Sequence, residues 1–220
     1  MRDEQIDPFS DPLAVARYVE GAPRNVPGYH DMQRMALCLL AERSPGDARV
    51  LVLGAGGGLE LKVFAEAHPN WSFDGVDPSA EMLKLAQRTL GPLASRVTSH
   101  RGYSDDAPSG PYDSATCLLT MHFLSLEERR GTAADLHRRL KPRAPLVVVH
   151  FSIPMGDERA VWLQRFAAYA GIDPDQATAL DSRLTILSPE QDEAILREAG
   201  FSDISLFYAA FTFRGWVAYA

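Results

Sequence analysis

Gly54, Gly56, Gly57 and Gly58 fall within five positions, directly after the apolar run Val50–Leu53. A turn this dense in glycine removes Cβ atoms and exposes backbone N–H groups, so a ligand can lie against the main chain itself. One or two glycines would serve a plain strand-to-helix turn; four point to a cradle. Asp77 ends a second strand-like segment, Trp71–Asp77. A carboxylate there can accept hydrogen bonds from both hydroxyls of a ribose. The plainer role is to cap the helix that follows, and one carboxylate can do both.

Three ligand classes compete for the turn. A phosphate loop needs Gly-x-x-x-x-Gly-Lys-Ser/Thr, and no lysine or hydroxyl follows at that spacing. A dinucleotide fingerprint needs Gly-x-Gly-x-x-Gly; Gly54 and Gly56 fit its first two places, but the third falls on Leu59. S-adenosylmethionine (SAM) carries no phosphate and suits a flat glycine turn beside its methionine moiety, with an acid closing the second strand. Methyl transfer from a sulfonium requires an acceptor atom held in line within a dry pocket. A general base is needed only where the acceptor arrives protonated. His122, after the fourth predicted strand, and His150, near the end of the fifth, are the candidate bases. His30, Trp162 and Phe166 are candidates for acceptor contact. For each histidine a hydrogen-bonded structural role is the plainer alternative, and Trp162, Phe166 and Tyr169 also suit simple core packing. Cys38 and Cys117 are far apart and no tight His/Asp/Glu motif occurs, so no metal site is expected.

These residues need a frame. Residues 11–44 are expected to be helical, with Met32, Met35, Ala36, Leu39 and Leu40 on one stripe. Strands follow at 49–53, 71–77, 96–100, 112–120 and 144–151, with helices at 59–68, 79–90 and 125–140 between them. Ser125 and Glu128 have capping-box spacing. Alternation of this kind predicts an α/β fold with a parallel sheet and helices on both faces. In such sheets ligands bind beyond the carboxyl ends of the strands. The alternation breaks at residues 154–187, a helical insert that caps the pocket or builds a homodimer. A helix from Ser188 to Gly200 and two adjacent strands then close the chain.

The chain has 220 residues, 46% of them hydrophobic, enough for one domain with a sizeable core. No apolar run approaches the ~18 residues of a membrane span. The acidic, polar start MRDEQIDPFSDP is expected to be neither a signal nor a transit peptide. The two cysteines sit in apolar stretches and read as buried free thiols of a cytoplasmic protein. A net charge of −7 disfavours a large nucleic-acid footprint. Arg129, Arg130, Arg138, Arg139, Lys141 and Arg143 read as a solvated helix end, where cations complement the dipole.

The stretch VLVLGAGGGLE…FDGVDPSAEMLKLAQ resembles the class I SAM-dependent methyltransferases. The resemblance continues through RVTSHRGYSDDAP, PYDSATCLLTMHFLSLEERR, LHRRLKPRAPLVVVHFS and LREAGFSDISLFYAAFTFRGWVA, nearly all of the chain after Arg49. Upstream, VPGYHDMQRMALCLLAER is similar to the segment before the glycine loop in carboxy-SAM synthases of the same superfamily. The resemblance implies a single Rossmann-like domain over residues 1–220. Its seven-stranded, mostly parallel sheet has one antiparallel C-terminal strand, residues 1–46 form a helical lid, and 154–187 form the insert. It implies that Gly54, Ala55 and Gly56 line the methionine part of SAM and that Asp77 takes the ribose, with Pro78 and Met82 near the adenine. Gly102, Tyr103 and Ser104 would form the adenine-edge loop, Leu118 would lie under the cofactor, and Tyr29 would close over it. Val52 departs from the family's usual acid, Tyr103 from an aspartate, and Leu118 from an asparagine of the carboxy-SAM group. That group's arginine for the extra carboxylate has no match, Arg183 being out of register. Plain SAM, a small-molecule acceptor and S-adenosylhomocysteine as product are therefore expected. The alternatives are carboxy-SAM chemistry in tRNA modification and a SAM-binding protein without turnover.

Overall fold

The computed structural model describes Val15 and residues 21–220. The expected helical lid therefore lies outside the described residues over 1–14 and 16–20. Residues 21–25 are helical, and α1 (Tyr29–Ala41) leads into β1 (Arg49–Leu53), α2 (Leu59–Ala67), β2 (Ser72–Asp77), α3 (Ala80–Leu90), β3 (Val97–Arg101) and β4 (Ser114–Leu118). There follow α4 (Leu126–Arg139), β5 (Pro145–Phe151), α5 (Glu158–Ala170), α6 (Pro174–Arg183), α7 (Pro189–Glu198), β6 (Ser202–Ala210) and β7 (Phe213–Tyr219). Among the described residues no helix is long and apolar enough to cross a membrane.

The strands form one seven-stranded sheet in the order β3-β2-β1-β4-β5-β7-β6. β1 to β5 pair in parallel. β7 runs antiparallel to both β5 and β6, so one C-terminal strand is reversed, as expected. The chain winds outward from β1 to β3 and then returns to the other side of β1. That reversal opens a crevice between the carboxyl ends of β1 and β4.

Strand alternation divides the core. Val50, Val52, Leu118, Val147, Val149 and Phe151 pack with α1 and α2 on one face. Leu51, Leu53, Cys117, Leu146 and Val148 pack on the other with Leu136 and Leu196 from α4 and α7. Both faces are covered, which is why these strands read as continuous apolar runs. Ser79 caps α3 by accepting from the Met82 N–H, and Ser125 forms the expected capping box with Glu128. Such caps contribute about 1 kcal/mol each.

Three expectations change. The buried stripe of α1 is Met32, Gln33, Ala36 and Leu40, so Met35 is 38% exposed and Cys38 faces outward. Arg129 is not solvated: α4 packs on α7, and Arg129 Nη1 donates to Asp192 Oδ1 at 2.6 Å while Nη2 donates to the Thr185 carbonyl. Breaking one side of such a buried pair costs about 3–5 kcal/mol. Arg139 is also buried and donates to the carbonyls of Asp105, Ala107 and Pro108.

The insert is two helices, α5 and α6, tied by Arg159 and Asp181. Its two ends meet, because the Ile153 N–H donates to the Leu187 carbonyl and Ser152 pairs with Leu187 as an isolated bridge.

Glu60, in the first turn of α2, is buried and accepts from the Thr116 hydroxyl of β4 at 2.9 Å. Burial pushes its carboxyl up to about 8 from an ordinary 4.5, against the opposing pull of that hydrogen bond. Between those two values the folded chain keeps a proton that the unfolded chain has lost. This contribution to stability is therefore complete below about pH 4.5 and disappears as the pH rises through about 8. Glu60→Gln removes the dependence. Denaturant titration should show the variant gaining at least about 1 kcal/mol on the parent between about pH 5 and about pH 8. An unchanged difference across that range would contradict the assignment.

Candidate active site

A cavity of about 680 Å³ opens at the carboxyl ends of the parallel strands. Leu53 and Gly54 at the end of β1, Asp77 and Pro78 at the end of β2, Gly102 after β3, Leu119 and Thr120 after β4, and Phe151 at the end of β5 all line it. Gly21, Ala22, Asn25 and Val26 close it from the N-terminal side, and Phe166, Ala170, Ile172, Leu180 and Leu184 roof it from the insert.

The glycine turn differs from a bare cradle. Gly54 has φ +74°, and a Cβ there would fall 1.9 Å from Thr120 Oγ1. Gly58 has φ +77°, and its Cβ would fall 2.9 Å from the Ala86 Cα of α3. These two glycines make room for the protein's own atoms as well as a left-handed backbone. The turn's N–H groups are also engaged. Gly54 and Ala55 donate to the Val76 carbonyl at 2.8 and 3.0 Å, and Gly56 donates to Asp77 Oδ2 at 2.9 Å. N–H groups turned inward at 54–56 do not solvate a phosphate, so the turn suits a ligand without one.

Asp77 also accepts from the Ser79 N–H at 2.9 Å, so the capping role and a cavity-facing role coexist. Each carboxylate oxygen can accept more than one bond. Pro78, Met82, Gly102, Tyr103 and Ser104 line the same end. Arg139, through the carbonyls of residues 105, 107 and 108, fixes the loop that carries Tyr103 and Ser104, and the Ser104 hydroxyl donates to Asp135 at 2.9 Å. Leu119 takes a left-handed φ of 56°, strained by about 1–2 kcal/mol, where the chain leaves β4 into the cavity wall.

The other end is apolar. The Phe151 ring lies 5.0 Å from Phe166 and 5.1 Å from Phe213, edge-on or tilted. His122 is the imidazole that lines the cavity among the described residues, in the short turn Met121–Phe123. Its Nδ1 accepts from the Phe151 N–H at 3.3 Å, which places the neutral ring's proton on Nε2. Burial first, then neighbouring His150 and Arg129, lower its pKa to about 3, with Asp192 opposing.

Six sequence candidates do not line the cavity. His150 lies one residue from Phe151, and strand alternation turns it to the opposite face, 3.0 Å from Asp192 and beside Trp216. It cannot act as the base. Trp162 is off the buried stripe Leu163, Phe166, Ala167 and Ala170 of α5 and packs on Phe211 instead. His30 is exposed on α1, edge-on to Tyr29. Tyr29 is buried in the core with Val26 and Met32. Ala55 turns its methyl toward Gly75 of β2, and Leu118 points down into the core because Leu119 makes the turn. Leu119, Thr120, Phe213 and the insert's Ile172, Leu180 and Leu184 line the cavity and were not foreseen. For the three insert residues the signal was the apolar insert itself, without a means to fix its phase. Among the described residues no group of three His, Cys, Asp or Glu is placed to hold a metal.

Residues 51–146 match a family model described as a methyltransferase domain. The chain is 28% identical to a carboxy-S-adenosyl-L-methionine synthase of Chromohalobacter salexigens, over 95% of this chain and 82% of that one. The chain carries a methyltransferase domain over residues 51–146, set in the fold of the SAM-dependent methyltransferases. Its fold superposes on a SAM-dependent methyltransferase from Aquifex aeolicus with a TM-score of 0.66 at 18% identity, covering 95% of this chain and 98% of the other. Human N-acetylserotonin methyltransferase in complex with SAM gives 0.67 at 14% identity, covering 96% and 57%. At such identities the likeness is one of fold. The chain spans about 60% of the length of several structures it superposes on. SAM is its cofactor. The site suits that group: the turn's inward N–H groups do not call for a phosphate, and Asp77 faces the cavity beside apolar Pro78 and Met82.

Asp77→Ala removes a charged hydrogen-bond acceptor from the cavity and two backbone bonds from the turn. SAM affinity measured by calorimetry should fall by about 1.5–3 kcal/mol. Affinity equal to the parent's would place the ribose elsewhere.

Proposed function

We propose that this methyltransferase acts on a small, largely apolar acceptor held beneath the helical insert. SAM supplies a methyl group on a sulfonium, a leaving group that needs no acid. The chain's own residues then have two tasks. At one end, Gly54, Gly56, Asp77, Pro78, Met82, Gly102, Tyr103 and Ser104 hold the nucleoside and amino-acid tail. At the other, Phe151, Phe166 and Phe213 with the insert's leucines exclude water and bring the acceptor in line.

The observation that carries this reading is the continuity of the two ends in one cavity, with the second roofed by α5 and α6. A roofed chamber of about 680 Å³ suits a small molecule better than a nucleic-acid segment. The net charge of −7 agrees with that choice.

Carboxy-SAM synthesis is the second reading, favoured by the names of several curated relatives. A cofactor bearing an extra carboxylate calls for a cation. Among the described residues no arginine or lysine lines the cavity, and Arg183 is exposed at the end of α6.

Calorimetry should give micromolar or tighter binding of both SAM and S-adenosylhomocysteine. Mass spectrometry of ligand copurified with the chain should give the mass of one of these two. A carboxylated SAM in repeated preparations would favour the second reading, and absence of binding by either nucleoside would defeat both.

A further inference from the structure

We propose that His122 is the acceptor-recognition residue of this site: it donates a hydrogen bond from Nε2 to the acceptor's heteroatom and so selects an aromatic-sized molecule whose heteroatom arrives without its proton. This rests on the small-acceptor reading above and specifies it further.

Three observations carry it. First, His122 lines the cavity and its Nδ1 is occupied by the Phe151 N–H at 3.3 Å. A neutral imidazole accepting at one nitrogen must donate from the other. Nε2 has no partner among the described residues, so its donor is unspent. Second, of the charged groups that face His122, Arg129 from α4 and His150 from β5 oppose its becoming a cation, while Asp192 from α7 favours it but is paired with Arg129 at 2.6 Å. Burial also opposes the cation, so the ring holds one proton through the neutral range. Third, the residue whose N–H pins the ring, Phe151, is itself part of the aromatic wall with Phe166 and Phe213. This donor therefore sits at the edge of an apolar slot suited to a flat ring.

A fixed donor cannot remove a proton from the acceptor. Along the wall the Thr120 hydroxyl donates to the Leu118 carbonyl and Ser104 to Asp135, and the Asp77 carboxylate is held at the cofactor end by the Gly56 and Ser79 N–H groups. The acceptor must bring its own lone pair, as a phenolate, a thiolate or a neutral amine does. Of these the phenolate class fits a donor best, because a hydrogen bond to an anion is the stronger kind.

The test uses the full chain and 4-nitrophenol as the probe, whose ionised form absorbs in the visible. Calorimetry first establishes S-adenosylhomocysteine binding; its failure would overturn the methyltransferase site, and this proposal with it. With that ligand bound, 4-nitrophenol is titrated against pH and the bound phenolate is read by absorbance. His122→Asn keeps a carbonyl for the Phe151 N–H but loses the donor at the ε position. The bound probe's pKa should rise by roughly one to two units in this variant. His122→Gln returns an N–H near that position and should recover most of the shift. The same pKa in the parent and in His122→Asn would overturn the proposal. So would binding of the probe to the parent solely as the neutral phenol, or no binding of the probe to the nucleoside-loaded parent.

Discussion

The carboxylate of Asp77 holds the site together. It accepts from the Gly56 N–H on one side and the Ser79 N–H on the other, while the preceding carbonyl, Val76, takes the N–H groups of Gly54 and Ala55. The glycine turn is thus suspended from the end of β2, and α3 starts from the same anchor. The carboxylate proposed to meet the ribose also sets the shape of the turn proposed to meet the amino-acid tail. The two halves of cofactor recognition are one mechanical unit, and they shift together.

Much of this was legible in the sequence. The β-α alternation dictated a parallel sheet, and the apolar runs dictated burial on both faces. The glycine cluster and Asp77 located the crevice because only a few positions follow strand ends. What was not legible was direction. The glycines suggested exposed N–H groups, yet those at 54–56 turn inward, since only pairing across to β2 decides where they point. Alternation placed His150 and Phe151 on opposite faces, but which face held the cavity depended on packing against α1 and the insert. Trp162 and Phe166 differ only by helical phase, and no local signal fixed that phase. Arg129 and Arg139 looked like a solvated helix end because their partners, Asp192 and the carbonyls of residues 105–108, are distant in sequence.

The site is electrostatically uneven. Its nucleoside end carries Asp77 and the serines, while its far end is bounded by phenylalanines, with the lining histidine kept neutral. Behind that histidine, Arg129 and Asp192 are paired away from the cavity, so their charges neutralise each other where water is scarce. A sulfonium bound between these ends would meet little counter-charge on the acceptor side. That arrangement leaves the acceptor's own electrons as the nearest attraction.

The insert leaves the sheet after Ser152 and returns at Leu187, where the two chain segments lie side by side. Because entry and exit coincide, α5 and α6 behave as a cassette plugged into a fixed socket. A lineage can lengthen, shorten or replace that cassette without disturbing a single strand register. Divergence in what is methylated is thereby uncoupled from preservation of the donor machinery, and the fold can explore new chemistry at little risk to its stability.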